Sequence, residues 1–186
     1  PFQLCIAPLI YSIAAGNCTV IKPSEMTPST SRLVSDMISE LFDSNEVCVV
    51  EGDREEAEYL LKQPFNHIFF TGSDVIGEKV VQASSRHLSS FTLELGGKSP
   101  VFVDRGYSLD SVINRMMAAK FVNLGQSCIA PDYLVVHEDD YELFIRKFRE
   151  RVESAYGKTL EEQLSSGSLA RIVNNMHFDR LNSIIK

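Results

Sequence analysis

Six short blocks rich in β-branched and aromatic residues punctuate the chain, at 18–21, 47–51, 67–71, 91–95, 100–103 and 133–137. Between them, apolar residues mostly recur at helical intervals. That alternation predicts βαβ units around a parallel sheet, and the Val and Ile content of the blocks suits strands buried on both faces. The first helix is expected over 8–15, with Pro8 pre-setting φ in its first turn and Gly16-Asn17 supplying a left-handed exit. A second begins with Thr27 as cap and Pro28 at the first helical position, and turns Leu33, Met37, Ile38 and Leu41 to one face. Further helices are expected over 54–62, 73–83, 109–123 and 139–156. The polar stretch 158–168 reads as a surface loop, and a closing helix as 177–186. No repeat or low-complexity tract interrupts the pattern. The best candidate for a boundary is the hinge-like pair Gly96-Gly97, which divides the chain into 1–95 and 96–186.

Charge and cysteine usage narrow the functional classes. Across 186 residues the formal net charge is −7, and this acidity argues against a nucleic acid or an anionic membrane as the main partner. The four cysteines, Cys5, Cys18, Cys48 and Cys128, show no C-x-x-C spacing and no histidine pair to complete a zinc site, so no metal is expected. Three of them read as small buried hydrophobes in a reducing compartment; Cys128 alone falls in a turn. No basic segment marks a signal peptide, and the apolar stretch 4–15 is too short to cross a bilayer. The chain begins at Pro1, so an end set by processing or truncation is expected.

Four places carry candidate chemistry. The strand at 67–71 runs through Gly72-Ser73-Asp74-Val75-Ile76-Gly77 into a helix, where free amides and the positive dipole end suit an anion. Gly72 would allow close approach of a pyrophosphate, while Ser73 would serve equally as a plain helix cap. Lys22 and Glu25 flank Pro23 at the carboxyl end of the first strand, the edge where open α/β sheets take ligands. Glu25 can accept hydrogen bonds from ribose hydroxyls and would repel a 2′-phosphate, and a solvated turn is the plainer reading. Glu94 stands in an apolar strand end before the diglycine, so it must be paired, kept neutral or hydrated. A water-activating base and an ion pair with Lys98 both fit. Cys128, in Gly125-Gln126-Ser127-Cys128-Ile129-Ala130-Pro131, lies where a thiol can be reached and attack a carbonyl carbon; a lone buried cysteine is the ordinary alternative. His67, His87, His137 and His177 lie in contexts that do not support a cysteine-protease dyad.

The combination discriminates where no single motif does. Ile-Lys-Pro-Ser-Glu at 21–25, Phe-Thr-Gly-Ser at 70–73, Leu-Glu-Leu-Gly-Gly-Lys-Ser-Pro at 93–100 and Gly-Gln-Ser-Cys-Ile-Ala-Pro-Asp-Tyr at 125–133 together resemble the aldehyde dehydrogenase superfamily. Adding Leu-Leu-Lys-Gln-Pro-Phe-Asn-His-Ile-Phe-Phe-Thr-Gly at 60–72 and Arg-Ile-Val-Asn-Asn-Met-His-Phe at 171–178 makes the chain most similar to the class 3 and fatty-aldehyde branch.

The resemblance implies a Rossmann-like dinucleotide-binding part over 1–95 and an incomplete catalytic α/β part over 96–186. It implies Cys128 as nucleophile and Glu94 as general base, with Gly72, Ser73 and Gly77 bordering the pyrophosphate, Lys22 and Glu25 facing the adenosine ribose, and Leu95 and Gly96 near the nicotinamide. The implied cofactor is NAD, with NADP left open. The implied substrate is a small-molecule aldehyde, the implied assembly a homodimer, and the implied location intracellular, cytoplasmic or membrane-associated. The family's oxyanion asparagine would precede the position matching Pro1, and a ribose-holding glutamate would follow Lys186, so the chain by itself is expected to have little or no activity. Two other readings stand beside this one. The first is a non-enzymatic dehydrogenase-like piece with a binding or assembly role. The second is a coenzyme A-acylating relative, against which Glu94 speaks.

Overall fold

A computed structural model describes residues 1–185. The chain forms two compact units, Pro1–Leu95 and Gly96–Lys186, with the diglycine opening the second. The first contains α1 (Phe2–Ala14), β1 (Thr19–Ile21), α2 (Pro28–Leu41), β2 (Val47–Val49), α3 (Arg54–Leu60), β3 (His67–Thr71), α4 (Asp74–Ser84) and β4 (Ser90–Glu94). The second contains β5 (Ser99–Val103), α5 (Leu109–Phe121), a 3₁₀ turn (Val122–Gly125), β6 (Pro131–Val136), α6 (Glu138–Tyr156), α7 (Leu160–Ser165) and α8 (Asn175–Ile185). The class is α/β, as expected.

All six expected strands form, and every pairing is parallel: β1 with β2, β3 with β4, and β5 with β6. The four strands of the first unit make two separate ladders among the described residues rather than one continuous sheet. β1 and β2 are three residues each, and Pro23, having no N–H to donate, keeps β1 from running on.

The core of the first unit is built by Leu9 of α1, Ile21 of β1, Val34 and Ile38 of α2 and Val47 of β2. This packing explains two departures from the sequence pattern, where α1 begins and which face of α2 turns inward. Helix α1 starts at Phe2, so Pro8 lies inside it; the missing N–H leaves the Leu4 carbonyl without its usual partner. The helix continues because Cys5, Ile6, Leu9 and Ile13 all pack on the same core. Its exit is as expected: Gly16 has φ +79°, the Gly16 N–H donates to the Ile13 carbonyl at 2.8 Å, and that of Asn17 to Ser12 at 3.1 Å. In α2 the inward face is Ser31, Val34 and Ile38, while Leu33 and Leu41 are exposed and Met37 is half-buried. Thr27 makes no side-chain cap; its hydroxyl turns back to the Ser24 carbonyl at 3.4 Å.

In the second unit, α5 and α6 cover the β5–β6 ladder. Val103, Leu109, Ile113, Met117 and Phe144 are its buried core, and the rings of Phe144 and Phe148 stack at 5.8 Å. The stretch expected to be loop contains α7. Thr159 and Glu162 form a reciprocal capping box there, the Glu162 carboxylate accepting from the Lys158 and Thr159 amides at 2.6 and 3.2 Å. The same T-x-x-E signature stood in the sequence, outweighed by the surrounding polar and glycine content.

Candidate functional site

In the second unit the path from α5 to β6 is a tightly constrained turn. Asn123, Leu124 and Gly125 all have positive φ, at 52°, 53° and 70°. Asparagine and glycine tolerate this conformation, but for leucine it costs of order 1–3 kcal/mol, so surrounding interactions must impose it. The next turn closes with the Ala130 amide donating to the Ser127 carbonyl at 3.1 Å, and Cys128 stands at its apex as an exposed free thiol. The expectation of three buried cysteines is corrected here: Cys5 and Cys48 are half-buried, and Cys18 is exposed near the start of β1, where it precedes the ladder. Desolvation by burial raises the Cys5 thiol above its ordinary value, with Lys22 pulling the other way.

Two interactions seat this turn, made by residues that lie inside the quoted motifs but for which the sequence suggested no contact with Cys128. An added Cβ on Gly97 would lie 2.1 Å from the Cys128 carbonyl oxygen, so the nucleophile candidate's backbone rests directly on a residue without a side chain. Gly96, by contrast, has open space around it. The Gln126 carboxamide is the second support. Its nitrogen donates to the Asn123 and Arg171 carbonyls at 2.9 and 3.0 Å, and its oxygen accepts from the Val173 amide at 3.0 Å. Close by, Lys98 pairs with Asp132 at 3.3 Å, which places the lysine's partner at the start of β6. A cleft of about 340 Å³ opens in this unit between Leu124, Leu164, Leu169, Ile172 and Phe178; Cys128 is not part of its wall.

In the first unit, Glu94 ends β4 opposite Thr71, the last residue of β3. Its carboxylate is exposed, the hydrated option among those considered, and its carbonyl accepts from the Gly72 amide at 3.0 Å. The ladder thus brings Glu94, Gly72 and Ser73 to one carboxyl edge. Gly77, buried on α4, faces Leu95 and Leu93; a Cβ there would come within 3.1 Å of a Leu95 methyl. Ser73 does not cap α4 through its side chain, so the cap reading is corrected and its hydroxyl is not spent on the helix. At the end of β1 the Lys22 ammonium bonds the Pro23 carbonyl at 2.9 Å and Glu25 at 3.2 Å, leaving the carboxylate half exposed. Among the described residues no cluster of three metal-ligating side chains occurs, and no helix is long and apolar enough to cross a membrane.

Comparison with known proteins extends along the whole chain. It is 44% identical over 185 residues to the 4,4'-diaponeurosporen-aldehyde dehydrogenase of Staphylococcus aureus (strain NCTC 8325 / PS 47), covering 100% of this chain and 40% of that protein. It is 41% identical over 186 residues to aldehyde dehydrogenase family 3 member A2 of Macaca fascicularis, covering 38% of it. The fold matches the substrate-bound state of Staphylococcus aureus AldH with a TM-score of 0.89 at 43% identity, over 100% of this chain and 40% of that one. The chain therefore spans about 40% of the length of the relatives it matches. Residues 1–186 match the aldehyde dehydrogenase family model throughout, and the chain belongs to that family.

Proposed function

We propose that the protein to which this chain belongs oxidises an aldehyde to a carboxylic acid with a nicotinamide dinucleotide as oxidant. The observation that carries the reading is the exposed Cys128 thiol at the apex of a constrained turn, in a chain of this family. In this scheme the Cys128 sulfur adds to the aldehyde carbon, forming an S–C bond and a thiohemiacetal on the protein. A nicotinamide dinucleotide, NAD or NADP, would supply the hydride acceptor when bound; on losing that hydride and its hydroxyl proton the thiohemiacetal becomes the Cys128 thioester. Glu94 then takes a proton from water, the resulting hydroxide attacks the Cys128 thioester, and cleavage of the S–C bond returns the thiolate and releases the acid. A thiol serves twice, as a good nucleophile and as a good leaving group.

The residues present fit a dinucleotide. The first amides of α4 have no partner inside the helix, and their dipole end favours a phosphate, although Asp74 already places one negative charge there. Glycine at 77 lets α4 lie close to the strand end, the role a small residue plays in dinucleotide folds. Gly72, Ser73 and Gly77 would border the pyrophosphate, Lys22 and Glu25 the ribose, and Leu95 and Gly96 the nicotinamide. Glu25 favours NAD; NADP is the competing choice. The same reading assigns 1–95 to cofactor binding and 96–186 to catalysis, expects a homodimer, and expects the 186-residue chain alone to be inactive.

The test uses the full-length protein with long-chain and aromatic aldehydes. Turnover should be lost in Cys128→Ala. Glu94→Gln should be slowed by about 10²–10⁴-fold and should accumulate acylated Cys128, read by intact mass. Undiminished turnover in Cys128→Ala would refute the reading. Full-length protein without dinucleotide-dependent turnover would favour the binding or assembly alternative.

A further inference from the structure

We infer that Gln126 is a positioning residue for the Cys128 thiol, tying the turn that carries it to the segment at 171–173. A leucine held at φ 53° between Asn123 and Gly125 would relax unless something fixed the turn on both sides. Gly97 fixes one side, by lying under the Cys128 carbonyl. Gln126 fixes the other, because a single carboxamide donates to Asn123 and Arg171 and accepts from Val173, at 2.9, 3.0 and 3.0 Å.

The chemistry of these contacts is specific to glutamine. Two of the partners are carbonyls and one is an N–H, so the side chain must donate and accept at once. A glutamate would present oxygen to both carbonyls. A methionine of similar length would make none of the three bonds. An asparagine has the right groups but a shorter reach. The Asn123 side chain in turn donates to the Gln126 carbonyl at 3.3 Å, so each of the two carboxamides holds the other residue's backbone carbonyl and the left-handed turn is locked reciprocally. Arg171 and Val173 lie 45 and 47 positions further on, so the lock is tertiary and sets where the turn stands as well as its local shape.

This inference rests on the reading of Cys128 as nucleophile, and its test separates the two. In the full-length protein, Gln126→Met, Gln126→Glu and Gln126→Asn are compared with the parent by limiting iodoacetamide, with Cys18 as the exposed internal reference. The ratio of Cys128 to Cys18 alkylation should change by at least about threefold, the midpoint of the Cys128 pH–rate profile should move, and kcat should fall by about ten- to a hundredfold with KM for the aldehyde nearly constant. Gln126→Asn should recover part of the loss seen in the other two. An unchanged ratio and pH profile in all three variants would overturn the inference, as would equal acceleration at Cys18 and Cys128, which signals loss of fold and not of position. Turnover surviving in Cys128→Ala would sink the catalytic reading alone, since the alkylation ratio reports on Gln126 whether or not turnover exists.

Discussion

At Gly97 the obstacle to any side chain is the backbone of Cys128, at 2.1 Å, and backbone cannot swing aside as a rotamer would. Gly97→Ala is therefore expected to cost about 1–3 kcal/mol through forced displacement of the turn. Gly96→Ala, with nothing within 4 Å of its added methyl, should cost far less. Urea denaturation of the two variants, with Cys128 alkylation followed alongside, checks the contrast; equal effects would mean the turn yields freely. At this scale the sequence singles out the candidate reactive groups and passes over the residues that support the Cys128 turn. Cys128 and Glu94 drew notice because a turn thiol and a carboxylate in an apolar strand end are conspicuous one residue at a time. Gln126 and Gly97 were silent because their roles exist only in relation to Arg171, Val173 and the Cys128 carbonyl. A glutamine or a second glycine next to a strand has too many ordinary explanations to announce such a contact.

Helix ends were read correctly where the signal was backbone geometry and less well where it was a side-chain cap. The Gly16 exit and Pro28 entry hold because glycine, lacking a Cβ, takes positive φ freely and the proline ring fixes φ at a helical value. Thr27 and Ser73, plausible caps by type, are not used as caps because a side-chain oxygen can as easily serve another neighbour or solvent. Helix α7 shows the reverse: a capping box forms inside a stretch whose polar and glycine-bearing composition predicts a loop. The two backbone amides bonded to Glu162 hold its carboxyl below the usual carboxylate range. A lowered folded value means the contribution is complete above the ordinary glutamate range and disappears as pH falls through the lowered value. Amide protection over 160–165 should accordingly fade on acidification through that window, as followed by hydrogen exchange. Glu162→Ala should show the frayed behaviour at every pH, and a pH-insensitive α7 in the parent would contradict this account.

The two units bury different residues, which gives each its own point of failure. Val34, fully enclosed between α2 and the β1–β2 ladder, should cost roughly 1.5–3 kcal/mol when cut to alanine. Ile113, 2% exposed in the other core, should cost roughly 2–5 kcal/mol. Hydrogen exchange should place the faster amides of Val34→Ala mainly within 1–95 and those of Ile113→Ala mainly within 96–186; acceleration spread evenly over both would argue for one shared core. What the residue order determined by itself was the α/β class, all six strands and most helices, because hydrophobic period and φ preference act over a few neighbouring residues. It also determined the family, whose motifs are contiguous. What only the tertiary structure decided was which strands pair, why α1 runs through Pro8, which face of α2 is buried, and how the Cys128 turn is held. Each of those depends on atoms brought together from distant positions, where packing and hydrogen-bond geometry outweigh any local preference.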